Sequence, residues 1–101
     1  TIKISGYRID TKEIENLTNE INKINNSIVV SVELYGLKIL CLAIETNTKI
    51  SKNLILNKLK KNLPSYSLPK KLIFYKKFPL NINYKINKKK IEEDILQSEK
   101  N

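Results

Sequence analysis

The spacing of apolar residues along the chain alternates between the two-residue period of a strand and the 3.6-residue period of a helix. Residues 2–4 alternate as a short strand, and Gly6 behind them permits a turn or a close approach to the backbone. Ile14, Leu17 and Ile21 then follow at helical spacing as one apolar stripe. The chain is therefore predicted to begin with a strand, a turn and an amphipathic helix.

Polar residues ahead of the apolar stripes predict where the helices begin. Asp10, Ser51 and Asn87 are each expected to cap a helix, because their side chains accept hydrogen bonds from the free N–H groups of a first turn. The first helix is expected to reach residues 25–26. The second is expected to end before Pro64, because the residue that precedes a proline disfavours helical angles.

The middle of the chain predicts a β-hairpin followed by a helix and a further strand. Residues 27–34 are rich in β-branched side chains, and residues 37–44 form the return strand after a turn at 35–36. The run 39–44 is apolar throughout, which predicts that both of its faces are covered. With a short strand at 72–75, the element order is βαββαβα. This order predicts the α+β class, a small sheet with helices packed on it.

Length and composition limit the function classes. A chain of 101 residues holds one small domain, predicted to span residues 1–101. With no His and one Cys, no Ser-His-Asp triad, Cys-His nucleophile, Cys/His zinc site or internal disulfide is possible, and we predict no metal site. The lone Cys41 is expected to be buried and inert, as fits a reducing cytosol. Because the chain begins with Thr1 and shows no signal peptide, we expect a piece of a longer cytoplasmic protein.

The net charge of +9 is concentrated in one part of the chain. Residues 46–91 carry thirteen Lys and no acidic residue, whereas residues 1–45 carry five basic and six acidic groups. Such a block attracts phosphates or an acidic partner. A plain alternative is a solvated surface in a sequence whose composition favours Lys, Asn and Ile.

Two segments carry residues that could bind a ligand or take part in a reaction. The first places Lys3 and Arg8 on either side of Gly6, just ahead of a capped helix. The second leads from a Pro-Leu pair at 79–80 through polar loop residues to Lys85, which could act as a point charge on a phosphate or carboxylate. Each also has a purely structural interpretation, as a connection or as one of eighteen lysines. Tyr7, Tyr66 and Tyr75 are expected mainly to pack.

Together these segments resemble the C-terminal domain of the AMP-forming adenylating enzymes. That superfamily includes acyl-CoA synthetases, adenylation domains of nonribosomal peptide synthetases and D-alanine–carrier-protein ligases. One motif of the family lies next to the hinge between its two domains. It is matched here by Lys3, Gly6, Tyr7, Arg8 and Glu13-Ile14-Glu15. Its last motif is matched by Pro79, Leu80, Asn83, Lys85 and Lys89. A leucine-proline-x-tyrosine-x-x-proline segment lies between them at residues 63–69.

The resemblance implies a role for each matched residue. Lys85 aligns with the catalytic lysine, which contacts the substrate carboxylate and the α-phosphate of ATP during adenylation. In the family the domain then rotates, so that the glycine-bearing segment replaces the loop that carries the lysine, and a thiol attacks the acyl-adenylate. The residues expected to contact the thiol donor or adenylate are Lys3, Gly6, Tyr7 and Arg8, and those expected to support the lysine loop are Pro79, Asn83 and Asn87.

The last motif departs from the family pattern at several positions. Tyr84 stands where the family has glycine, and a tyrosine does not adopt positive φ cheaply, so another loop shape is expected. Asn81 replaces threonine, Asn87 replaces aspartate and Lys88 replaces arginine. These differences bear on how Lys85 is positioned.

The expected function is therefore that of a C-terminal domain in an ATP-dependent ligase that activates a carboxylate, by preference an amino acid. The implied cofactors are ATP and Mg, held mainly by an N-terminal domain, with a phosphopantetheinyl carrier protein or CoA as thiol acceptor. The isolated chain is expected to be inactive. Alternatives are the C-terminal domain of an acyl-CoA synthetase, or a non-catalytic basic binding module on the same fold. A nucleic-acid-binding module is disfavoured, because no aromatic pattern forms a stacking platform. Neither a membrane nor a nucleic acid is an expected partner.

Overall fold

The computed structural model describes residues 1–99. In this range the elements are β1 (Ile2–Ile4), β2 (Tyr7–Ile9), α1 (Thr11–Asn19), β3 (Asn26–Leu34), β4 (Leu37–Glu45), α2 (Lys52–Asn62), a 3₁₀ turn (Ser65–Ser67), β5 (Lys71–Tyr75) and α3 (Lys88–Glu99). The predicted α+β class is confirmed. The predicted order lacked β2, because residues 7–9 were assigned to the connection between the first strand and the first helix. No helix among the described residues is long and apolar enough to cross a membrane.

The centre of the fold is a three-stranded sheet in the order β3-β4-β5. β3 and β4 are antiparallel and joined by the predicted turn, in which Tyr35 and Gly36 have φ of 51° and 79°. β5 lies parallel to β4 on the other side, and α2 makes the connection between them. β4 is thus the middle strand, and both of its faces are covered, as its continuous apolar run predicts.

Successive side chains of the sheet point to opposite faces, and each face has its own core. On the first face, β4 contributes Leu40, Leu42 and Ile44, which pack with α1, α2 and Ile9 at the end of β2. On the second face, Cys41 and Ala43 pack with α3 and with Phe78. We call these the first face and the second face below.

The first helix is shorter than predicted. α1 ends at Asn19, while the expectation placed its end at residues 25–26. The Thr18 hydroxyl donates to the Ile14 carbonyl, and the next N–H groups bond three residues back rather than four, which tightens the last turn. Lys23 then takes φ of 76°, and this reverses the chain. Ile21 still packs on the core of the first face. The helical spacing of apolar residues therefore continues beyond the last residue of α1.

The predicted caps are confirmed. The Asp10 side chain accepts a hydrogen bond from the Glu13 N–H at 3.2 Å. The Ser51 side chain accepts from the N–H groups of Asn53 and Leu54, and the Asn87 side chain accepts from the Lys90 N–H at 3.0 Å.

A carboxylate of α1 also bonds to the backbone of the sheet. Glu15 accepts the Val29 N–H at 2.8 Å, so an acidic side chain satisfies a donor on the outer edge of β3.

α3 is attached to β5 by a hydrogen bond between side chains. The Tyr75 hydroxyl donates to Asp94 at 2.7 Å, and Asp94 also pairs with Lys90 at 3.1 Å. The bond from Tyr75, with the Lys90 charge adding to it, holds the pKa of the Asp94 carboxyl below its usual value. Burial first, and then Asp94, raise the pKa of the Tyr75 hydroxyl. The pair is therefore most favourable with a neutral phenol and an ionised carboxylate.

Replacement Tyr75→Phe should lower the free energy of unfolding at pH 7 by about 1.5–3 kcal/mol, the range for a hydrogen bond to a charged group. Because the pKa of Asp94 is lowered by folding, this contribution is present above the ordinary aspartate pKa near ~4 and is lost as pH falls through the lowered value. Urea unfolding at pH 7 and at about pH 2.5 measures it. Tyr35→Phe is the matched control, since Tyr35 is 90% exposed. An equal loss at both pH values would contradict the prediction.

Candidate functional site

The first predicted segment forms the hairpin β1–β2, and its two cations face each other. Lys3 lies directly opposite Arg8 in the register of the two strands, and both are exposed. Like charges in directly opposite positions destabilise a strand pair. The outer side of the hairpin is therefore a small region of positive potential that an anion would stabilise.

The hairpin turn consists of Ser5 and Gly6, with φ of 49° and 86°. Two successive residues of positive φ are typical of the type I′ turns that suit short hairpins. No atom lies within 4 Å of the position that a Cβ on Gly6 would occupy. The turn expected at Gly6 is confirmed, and its backbone is open to another molecule.

Tyr7 connects this hairpin to the leucine-proline-tyrosine segment. Its ring stacks on Tyr66, with centroids 4.0 Å apart and an angle of 10° between the planes. The two residues are 50% and 46% exposed, so they pack on each other but stay half exposed. They border a cleft of about 300 Å³, which is also lined by Lys38 and Lys70. The sequence did not indicate that these two motifs meet.

The second predicted segment is a loop closed by backbone hydrogen bonds. Asn87 N–H donates to the Pro79 carbonyl at 2.8 Å, and Asn81 N–H donates to the Lys85 carbonyl at 2.8 Å. Leu80 bridges to Ile86 between them. We call residues 79–87 the lysine loop. Although exposed, it is a small ladder of fixed shape rather than an open connection.

Lys85 lies near the tip of the lysine loop and is exposed. Its ammonium makes no hydrogen bond or salt bridge with the rest of residues 1–99. Just before it, Tyr84 has φ of 63° and is 85% exposed. The sequence predicted another loop shape here, because tyrosine resists positive φ. Instead the backbone takes the left-handed conformation, which a glycine would adopt easily.

Buried groups hold the two ends of the lysine loop. Phe78 is 5% exposed, meets Tyr75 edge-on and donates its N–H to the Glu45 carboxylate at 2.7 Å. At the other end Ile86 packs on the second face and Asn87 caps α3. Sequence reasoning did not identify Glu45 in this role, because a carboxylate at the end of one strand gives no sign of a partner 33 residues away.

The side chains expected to support the loop differ in what they do. Pro79 closes the ladder with its carbonyl, and Asn87 caps the helix. Asn83 takes part through its backbone N–H, which donates to the side chain of Asn81 at 2.9 Å. Asn81 was noted in the sequence only as a replacement for threonine. The signal that could have identified it is the preference of Asn for turns in which its side chain accepts from the backbone two residues on.

The structure gathers the predicted residues into two groups. One is the hairpin group Lys3, Gly6, Tyr7 and Arg8, and the other is the loop group Pro79, Asn83, Lys85 and Asn87. The hairpin packs through Ile2, Ile4 and Ile9 on the first face, whereas Phe78 and Ile86 attach the lysine loop to the second. The two groups therefore do not form one site within this chain.

Two further observations concern a thiol nucleophile and a metal site. Cys41 is fully buried, and burial raises the pKa of its thiol to about 11, which keeps it protonated at neutral pH. No group of three or more His, Cys, Asp or Glu side chains within the described range is arranged to hold a metal ion. The exposed cations are thus the chemical groups that the two segments offer.

The curated relatives that this chain matches are ligases by name. No protein-family model matches it. It is 36% identical to D-alanine–D-alanyl carrier protein ligase of Staphylococcus aureus, over 93% of this chain. The chain spans only 21% of the length of that relative.

Solved structures share the fold. Apo MatB of Rhodopseudomonas palustris matches 92% of the chain with a TM-score of 0.82 and 23% identity, over 19% of its own length. The fatty acyl CoA synthetase of Mycobacterium tuberculosis matches 92% of the chain with a TM-score of 0.79 and 24% identity, over 19% of its length. A four-domain nonribosomal peptide synthetase bound to AMP and glycine matches 88% with a TM-score of 0.80 and 27% identity, over 7% of its length.

The left-handed conformation at Tyr84 predicts an unusual order of stabilities. Tyr84→Gly should be more stable than Tyr84→Ala by about 1 kcal/mol, because both remove the exposed ring and only glycine takes positive φ without strain. Ile82 is a matched control in the same loop, since it is 93% exposed and is not among the residues of positive φ. There the order should reverse, with alanine more stable than glycine. Thermal or urea unfolding of the four variants measures both differences. A more stable alanine variant at position 84 would contradict the left-handed turn.

Proposed function

Because the chain belongs to the C-terminal domains of the AMP-forming ligases, we propose that residues 1–101 are the mobile lid domain of a larger ligase. That ligase would activate a carboxylate as its acyl-adenylate and pass the acyl group to a phosphopantetheine thiol. The observation that carries the proposal is the placement of two cationic segments on opposite faces of one sheet. A domain built in this way can present one segment or the other to a single active site, but not both in one orientation.

Lys85 serves the first half-reaction. A carboxylate oxygen of the substrate attacks the α-phosphorus of ATP, and pyrophosphate leaves. The Lys85 ammonium contacts the carboxylate and the α-phosphate and offsets the negative charge that builds up as the bond to pyrophosphate breaks. A cation that has no partner among residues 1–99 suits this role, because no ion pair must be broken before it acts. The closed ladder of the lysine loop limits where the ammonium can go.

The hairpin serves the second half-reaction. A thiolate attacks the acyl carbonyl carbon, and AMP leaves as the thioester forms. Gly6 lines the passage of the pantetheine arm, where the absence of a side chain leaves room beside the backbone. Lys3 and Arg8 contact the adenylate or the thiol donor, which also relieves their mutual repulsion. Tyr7 borders the same region through its stack on Tyr66.

An amino acid and a carrier protein are the preferred substrate and acceptor. The relative that is 36% identical is a D-alanine–D-alanyl carrier protein ligase by name, whereas the acyl-CoA synthetase matches at 24% identity and indicates the fold alone. The lysine-rich block between residues 46 and 91 suits an acidic carrier protein. ATP and its Mg²⁺ are bound mainly by the N-terminal domain, in the cytoplasm. The chain alone is inactive.

The decisive substitution is Lys85→Ala in the full-length protein that carries this domain. Amino-acid-dependent exchange between ATP and pyrophosphate should fall by about 100-fold or more, the usual effect of removing one group that stabilises transition-state charge. A panel of amino acids and short carboxylic acids identifies the substrate in the same assay. The matched control is Lys60→Ala, an exposed lysine on α2 at the other side of the sheet, which should leave the exchange unchanged.

Equal exchange in the wild type and in Lys85→Ala would remove Lys85 from the adenylation step. Absence of exchange with every acid in the panel would instead favour a binding module that keeps the fold without the chemistry. The fixed shape of the lysine loop argues against that alternative, since the residue ahead of Lys85 is left-handed although it is a tyrosine.

A further inference from the structure

One residue of the lysine loop receives hydrogen bonds from three consecutive N–H groups. The side-chain oxygen of Asn81 accepts from Asn83 N–H at 2.9 Å and from Lys85 N–H at 3.1 Å. Its backbone carbonyl accepts from Tyr84 N–H at 3.0 Å. Asn81 N–H in turn donates to the Lys85 carbonyl at 2.8 Å. Both acceptor sites of the side-chain oxygen are therefore used, and they fix the backbone on either side of Tyr84.

This arrangement explains how a tyrosine keeps a backbone conformation that glycine adopts more easily. A bulky residue at positive φ persists only where the surrounding structure determines its conformation. Here the residues before and after Tyr84 both donate to one oxygen, so neither can turn away without losing a bond. The ring of Tyr84 is 85% exposed and offers no packing that could do the same.

Asn81 also holds the backbone from which the Lys85 side chain extends. Both hydrogen-bonding groups of the Lys85 backbone, the N–H and the carbonyl, are bonded to Asn81. The exposed lysine side chain therefore extends from a backbone that a single residue holds. We infer that Asn81 is the positioning residue of Lys85 for the adenylation step. The inference rests on the proposed function, and it assigns to this chain a residue on which the catalytic lysine depends.

The test compares Asn81 variants of the full-length protein in the two half-reactions. Asn81→Ala removes the acceptor oxygen and should lower kcat for ATP–pyrophosphate exchange by about 10- to 100-fold with little change in KM, the scale expected when a catalytic group is displaced by about 1 Å. Transfer of the acyl group from preformed acyl-adenylate to the thiol should be unchanged, because Lys85 acts in the first half-reaction. Asn57→Ala, an exposed asparagine of α2, is the matched control.

Two further variants separate positioning from a general loss of structure. Asn81→Thr keeps a side-chain acceptor and should recover part of the lost exchange, because threonine makes the same type of turn more weakly. Asn81→Ala combined with Lys85→Ala should be no slower than Lys85→Ala alone, because a residue that acts only through Lys85 has nothing to position once the ammonium is gone.

The outcomes distinguish this inference from the proposed function. Wild-type protein without exchange activity overturns both. If the wild type is active, the inference alone is overturned by Asn81→Ala with undiminished exchange, by an equal loss in both half-reactions, or by losses that multiply in the double variant. Selective loss of adenylation, partial recovery by threonine and no added loss in the double variant support it.

Discussion

The arrangement of the whole molecule depends on burial of the middle strand, β4, on both of its sides. Leu40, Leu42 and Ile44 are buried against α1, α2 and the hairpin, and Cys41 and Ala43 are buried against α3 and Phe78. None of these five residues is more than 2% exposed. A strand covered on both sides separates whatever packs on one face from whatever packs on the other. The placement of the hairpin and the lysine loop on opposite faces of the sheet is therefore a consequence of how the core is built.

Each of the two segments is exposed at its tip and anchored at its base. The hairpin ends in Ile9, which is fully buried, and the lysine loop begins after Phe78, whose N–H is held by Glu45. This combination exposes a charged side chain to a partner while the backbone that carries it is held in place. It is compatible with the proposed rigid-body movement of the domain between two steps of a reaction, because neither segment would have to refold.

What could be predicted from the sequence was local, and what could not was set by distant contacts. The caps at Asp10, Ser51 and Asn87 follow from side chains that act within one turn of helix. The stacking of Tyr7 on Tyr66 and the hydrogen bond from the Phe78 N–H to the Glu45 carboxylate depend on residues far apart in the chain. Lys85 could not be distinguished from seventeen other lysines by charge or spacing, and a family resemblance was required. The conformation of Tyr84 was wrongly expected, because the compensating bonds of Asn81 have no counterpart in residue propensity.

The claim that the hairpin and the lysine loop serve one active site in turn is tested most directly by hydrogen–deuterium exchange of the full-length protein in two trapped states. With the carboxylate substrate and a non-hydrolysable ATP analogue, the amides of residues 79–87 should gain protection and those of residues 2–9 should not. With an acyl-adenylate analogue joined to the pantetheine thiol arm, the protection should pass to residues 2–9. Protection of both segments in the same state, or of neither in both states, would contradict an alternation of the two faces.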